Sequence, residues 1–214
     1  MAYNLKMAFI FTVIAVGLLL VGSELFWRHF GLHGEFSRKF VHITVGSFVA
    51  FWPFFLSWGE IEVLSLAFLV VIGISKYLNV FKVIHSVQRP TFGELFFALA
   101  VGVIAVMTHD KHIYTVALLQ MSLADGLAAV VGTRFGHTTR YHVVGQAKSV
   151  VGSLTFLVVS LAILIAYSGI VQPVNLGVLG GIAILATIIE NIGVQGLDNL
   201  LVPVLAAWLL ALAA

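Results

Sequence analysis

Residues 125–153 read DGLAAVVGTRFGHTTRYHVVGQAKSVVGS, and the reading of the whole chain turns on them. A carboxylate, Asp125, stands inside an apolar segment. A row of small residues follows, and the segment ends in a polar, glycine-bearing loop. Apolar sequence then resumes through Lys148-Ser149-x-x-Gly152-Ser153. This is the pattern of a helix that leaves a membrane and a second helix that re-enters it. An acid, a flexible loop and a lysine–hydroxyl pair at one membrane surface suit a polyphosphate and its metal ion.

Composition agrees with a membrane setting. Of 214 residues, 61% are hydrophobic and 9% charged, whereas a soluble domain carries about a quarter charged residues. So few charges cannot cover a water-exposed surface. The net charge of +2 is no nucleic-acid footprint, because the basic residues stand singly between apolar runs. The absence of cysteine excludes disulfides, thiolate metal sites and cysteine nucleophiles, and the eight histidines show no metal-ligand spacing. No small-x-small cleavage site follows the first apolar run, so that run is expected to be retained as a span.

Spanning helices need about 20 apolar residues. The candidates are Leu5–Phe26, Phe40–Trp58, Glu62–Val80, Phe92–Thr108, Ile113–Phe135, Val150–Val171, Val174–Gly193 and Asn199–Ala213. The expectation is an all-α, multi-pass integral membrane bundle of about eight helices, or seven if a short one does not cross. Charge placement supports eight. One side then holds Arg28, Arg38, Lys39, Lys82, Arg89, Arg134, Arg140 and Lys148, with Lys76 near its face, and the other only Lys6 and Lys111. By the positive-inside rule the richer side is cytoplasmic. No stretch is long enough for a soluble domain, so residues 1–214 read as a single transmembrane domain.

Ionisable groups inside spans are expensive and usually face a bundle interior or a wet cavity. Arg38, His42 and Gly46 share one helix face by their i, i+4, i+8 spacing. Arg38 and Lys39 fit either membrane-surface anchors or phosphate clamps, and His42 alone fits a packed histidine. The glycine beside them suggests that something approaches the backbone. Glu94 opens the fourth span, where an acid complements the helix dipole. Asp125 is followed by Ala128, Gly132 and Gly136 on one face, a groove of small residues. A carboxylate there can hold Mg²⁺, or pair with Arg38 or Lys148. The 142–149 segment is not a P-loop, because Ala147 precedes Lys148 and His142 occupies the earlier glycine position. Lys148, Ser149 and Gly152 at a helix start can nevertheless bind phosphate. Glu190 lies inside a span with no cap to make. Asp198 follows a Gly193–Gly196 break, where it can cap the next helix. Asp125, Glu190, Asp198, Lys148 and the Arg38–Lys39 pair converge on one membrane face.

Five motifs occur in order: RKxxH (Arg38–His42), Gly93-Glu94, DxxAxxxG (Asp125–Gly132), KSxxGS (Lys148–Ser153) and E…GLDNLxxP (Glu190, then Gly196–Pro203). Together they resemble the polyprenol kinase group, which includes dolichol, phytol and farnesol kinases and the CTP-dependent diacylglycerol kinase and is related to the phosphatidate cytidylyltransferases. The resemblance covers about residues 38–203. It implies transfer of the γ-phosphoryl of CTP to a lipid alcohol, either a prenyl alcohol or diacylglycerol, at the cytoplasmic membrane surface. Mg²⁺ or another divalent cation would be the cofactor. The family's nucleotide-binding signature maps onto Asp125, Ala128, Gly132, Lys148 and Gly152. The chemistry of such a transfer, mainly positioning and charge neutralisation, gives expected catalytic residues Asp125, Lys148, Glu190 and Asp198 and expected metal ligands Asp125 and Asp198, with Glu94. Nucleotide binding would fall to Arg38, Lys39, His42, Ala128, Gly132, Lys148, Ser149 and Gly152. Ser149 and Val151 depart from the KKTxEG of dolichol kinases, which points toward the phytol kinase and diacylglycerol kinase branch. Two rivals share some of these features. A cytidylyltransferase would use the same CTP site and release pyrophosphate. A small proton-coupled transporter would use Asp125 and Glu190 as a relay, but neither internal repeats nor mid-membrane breaks are evident.

Overall fold

The computed structural model describes residues 2–30, 35–78 and 92–213. The segment carrying Lys82 and Arg89, and the side chains of Lys6, Arg28 and Lys76, lie outside the described residues. Helices occupy all eight apolar stretches: α1 (Ala2–His29), α2 (Glu35–Ala50), α3 (Trp58–Leu78), α4 (Gly93–Met107), a long helix built of α5 (Lys111–Leu119), a π-helical turn (Gln120–Asp125) and α6 (Gly126–Phe135), then α7 (Val150–Ile170), α8 (Leu176–Ile192) and α9 (Asp198–Ala213).

Local chemistry explains the ends. The Asp110 carboxylate accepts the His112 and Ile113 N–H groups at 2.7 and 2.9 Å, and so starts α5. Ser149 accepts from Gly152 N–H at 3.0 Å to start α7, and Asn175 does the same for α8 with Gly177 at 2.8 Å. The second helix was expected to run through Trp58, and this needs correction. It ends at Ala50, because Pro53 cannot continue an α-helical ladder and Trp52–Phe54 instead form a 3₁₀ turn. A new helix, α3, starts at Trp58, where Glu60 accepts from the Ser57 N–H and hydroxyl.

The long helix 111–135 is the axis of the fold. Of its most apolar stretch 61% is buried, against 22% for α7. Helices α2, α7 and α9 pack around it. Trp52, Ile61, Ile104, Tyr114, Leu118 and Leu210 fill the core and are almost wholly buried. Helix α2 comes unusually close. A Cβ at Gly46 would lie 2.6 Å from the Ser122 Cβ, and one at Gly126 would collide with Ile43. What approaches the Gly46 backbone is therefore the π turn.

The polar loop after α6 is more ordered than the sequence suggests. Strands β1 (Arg140–Val143) and β2 (Gln146–Ser149) form an antiparallel hairpin with Tyr141 opposite Lys148. Val144 (φ 48°) and Gly145 (φ 75°) make its two-residue turn, both left-handed as a type I′ turn requires. Apart from this hairpin, the regular secondary structure of the described residues is all helical.

The outward faces are apolar. Phe11, Leu18, Leu66, Val70, Leu154, Val158 and Ile184 are all more than half exposed. Among the described residues, the helical runs Lys111–Phe135 (25 residues) and Val150–Ile170 (21 residues) are long and apolar enough to cross a bilayer. Met7–Ser23, Gly93–Met107, Leu176–Ile192 and Asp198–Ala213 are shorter apolar helices.

Candidate active site

Three carboxylates meet at one end of the bundle. Asp125 closes the π turn, Glu190 stands in the last turns of α8, and Asp198 opens α9. Their ligating oxygens lie within 4.8 Å of one another. The turn between α8 and α9 brings the last two together. Gly193 ends α8, Gln195 (φ 55°) and Gly196 (φ 90°) reverse the chain, and Gly196 packs directly on Gly93. Gln195 C=O accepts from Phe92 N–H at 3.0 Å, and Asn199 Nδ2 donates to Gly93 C=O at 3.1 Å. The turn is thus fixed against the start of α4. Asp198 lies within the first turn of α9, with its carboxylate toward Asp125 and Glu190.

Two lysines balance this charge. Lys39 Nζ donates to Asp125 Oδ2 at 2.5 Å, in a pair whose side chains are 9% and 8% exposed. Lys148 Nζ donates to Glu190 Oε1 at 2.6 Å and to the Glu190 carbonyl at 2.8 Å. An isolated buried carboxylate costs several kcal/mol, so these pairs are what allow the acids to remain inside. Burial works to lower the pKa of Lys148, but Glu190, its hydrogen bond, Asp198 and Asp125 outweigh it and hold the ammonium above the usual 10.5. The expected partners of Asp125 were Arg38 or Lys148, and its partner is instead Lys39. Arg38, on the adjacent helix position, is half-buried.

His42 Nε2 lies 3.1 Å from the Met121 carbonyl, which can only accept, so this nitrogen carries the proton. It also sits 3.5 Å from Asp125 Oδ2. The histidine therefore reads the altered backbone of the π turn and the carboxylate that ends it. Such turns are enriched at functional sites.

The small residues after Asp125 have a steric reason. A Cβ at Gly132 would lie 2.8 Å from Ser149 Oγ and 3.1 Å from Gly152 Cα, and one at Gly152 would lie 3.1 Å from the Ala128 carbonyl. The groove read from the sequence is thus filled by the start of α7. That close fit seats the Lys148–Ser149 corner beside Asp125. Glu94 is not one of the three grouped carboxylates. It stands in the first turn of α4, where an acid suits the helix dipole.

Sequence reasoning missed a second polar group beside the first. Tyr141 OH lies 2.5 Å from both Asn191 Oδ1 and Ser153 Oγ, and Ser153 Oγ donates to Asn191 Oδ1 at 2.7 Å. Gln146 Nε2 donates to the Gly193 carbonyl at 3.1 Å. The hairpin is tied to the end of α8 at these points. Asn191 directly follows Glu190, and that adjacency was the available signal.

The donor set fits a hard divalent cation. Three carboxylates offer oxygen ligands, the kind that Mg²⁺ prefers, and two ammonium groups leave the cluster only one negative charge in excess.

Comparison with known proteins agrees with this chemistry. The chain is 32% identical over 205 residues to the phytol kinase of Synechocystis sp., covering 90% of this chain and 87% of that protein. It is 28% identical to probable phytol kinase 2, chloroplastic, of Glycine max, and 28% identical to phytol kinase 1, chloroplastic, of Arabidopsis thaliana. These alignments cover 94% and 89% of this chain, and 72% and 71% of the plant proteins. No family model and no solved structure matches the chain.

Proposed function

Because the chain belongs to the polyprenol and phytol kinase family, we propose that it phosphorylates a prenyl alcohol with CTP as donor and Mg²⁺ as cofactor, with diacylglycerol as the other candidate acceptor. The observation that carries this reading is the meeting of Asp125, Glu190 and Asp198 with Lys39 and Lys148 in one largely buried cluster. Phosphoryl transfer asks a protein mainly to position the reactants and neutralise charge, which is what such a cluster offers.

In this reading the alcohol oxygen bonds to the γ-phosphorus, the bond to the β-phosphate oxygen breaks, and CDP leaves. The proton of the alcohol passes to a carboxylate, for which Glu190 is our choice. Asp125 and Asp198 would hold the divalent cation, which when bound supplies charge neutralisation on the phosphates. Lys148, Lys39 and Arg38 serve the phosphates. Ala128, Gly132, Ser149 and Gly152 act through packing, by keeping the Lys148 corner tight against α6.

The eight helices are read as spans of a multi-pass membrane protein with the cluster at the cytoplasmic face. Exposed apolar side chains on the outer faces support this, as does the meeting of Asp125, Glu190, Asp198, Lys39 and Lys148 at one end of the bundle. The lipid chain would lie along such a face with its hydroxyl at the interface.

The test uses detergent-purified protein, Mg²⁺ and labelled CTP or ATP, with phytol, farnesol and diacylglycerol as acceptors. A phosphorylated prenyl alcohol with CDP is the expected product, and pyrophosphate release would instead indicate a cytidylyltransferase. Asp125→Asn should lower turnover at least about a hundredfold without loss of membrane insertion. Full turnover in that variant would sink the metal-site assignment.

A further inference from the structure

We propose that Tyr141 is a positioning residue that acts through Lys148: by gripping Asn191 and Ser153 it sets the hairpin so that the Lys148 ammonium stands over Glu190. The inference rests on the kinase reading for its effect on nucleotide binding, and on geometry alone for the coupling itself.

Tyr141 and Lys148 are direct cross-strand partners in the hairpin register. Opposite residues of an antiparallel pair project from the same face of the ribbon. That face lands on two consecutive residues of α8, with Lys148 on Glu190 and Tyr141 on Asn191. The tyrosine hydroxyl has two partners there, Asn191 Oδ1 and Ser153 Oγ, each at 2.5 Å. The Asn191 amide is itself oriented, because Nδ2 donates to the Thr187 carbonyl at 2.8 Å. Ser153 lies on the first turn of α7, so three elements meet at one hydroxyl.

A two-stranded hairpin is marginal by itself, and this one turns through Val144, a β-branched residue in the left-handed region. Its placement therefore depends on what it is tied to. Lysine carries a long flexible stem that loses rotamer entropy when it is held in one place. A rigid cross-strand neighbour fixed to the same helix limits where that stem can go, which is how supporting side chains preorganise a site.

A double-mutant cycle tests this in the alcohol phosphorylation assay. Tyr141→Phe keeps the ring and removes the hydroxyl, and is expected to raise the KM for nucleotide about tenfold, the loss of one hydrogen bond's worth of placement. The change in kcat should be much smaller. In a Lys148→Ala background the same substitution should have no further effect. An equal rise in KM in both backgrounds, or no rise in either, would overturn the proposal. Should the wild type phosphorylate no alcohol at all, the kinase reading fails separately, and thermal melting of the same four proteins still decides the coupling. Tyr141→Phe is then expected to lower Tm more in wild type than in Lys148→Ala, where only its own hydrogen bonds are lost, and equal drops would overturn it.

Discussion

The two ends of the central helix use their acids differently. Near its start, Asp110 binds the N–H groups of His112 and Ile113, and Glu60 binds Ser57, so each acid serves residues two or three positions away. At the other end Asp125 binds Lys39, 86 residues distant, and Glu190 binds Lys148, 42 residues distant. The first kind starts a helix and stays wet. The second kind is buried, holds separate elements together and keeps charge inside the fold. Cost decides between them: a solvated cap is cheap, whereas a buried ion pair persists only where geometry is good and both partners are present.

Breaking the comparison at its expensive side should give the largest effect. Lys39→Met leaves Asp125 buried without its cation, and about 3–5 kcal/mol of stability should be lost in denaturant or thermal unfolding. Lys148→Ala should raise the KM for nucleotide about tenfold or more, read in the same phosphorylation assay. The Lys148 value is raised in the fold, so its stabilising contribution is complete below the ordinary lysine value and is lost only as pH rises past it. The Tm gap between wild type and Lys148→Met should accordingly hold steady from about pH 8 to 10 and close above that. On the cheap side, Asp110→Ala should cost about 1 kcal/mol with turnover unchanged. Smallest of all, Val144→Asn relieves a left-handed β-branched residue and should stabilise the protein by about 0.5–1 kcal/mol.

Much of this was legible in the sequence, and the failures have definite causes. Hydropathy placed a helix on each apolar stretch, because an apolar run of that length has few other solutions. The second run was drawn too long, since the aromatic residues around Pro53 keep it apolar past the point where the backbone must turn. Asp125, Lys148, Glu190 and Asp198 were expected at one face and are brought together. Which cation would meet Asp125 was not legible. Arg38 and Lys39 lie about 100° apart around α2, and helix rotation alone selects between them. The hairpin was hidden because its turn is Val-Gly, where Asn-Gly would have announced it. The Tyr141–Ser153–Asn191 group followed it out of sight.

The π turn holds a consequence for evolution and engineering alike. Such a turn is one residue more than an α-helix needs, so removing any single residue between 120 and 124 offers the chain a regular helix in its place. The wide turn absorbs its extra residue locally, so α5 and α6 would keep their phase and their seats. What would change is the backbone of the turn itself, whose Met121 carbonyl meets His42 Nε2. Helical regularity would rise at the expense of that contact.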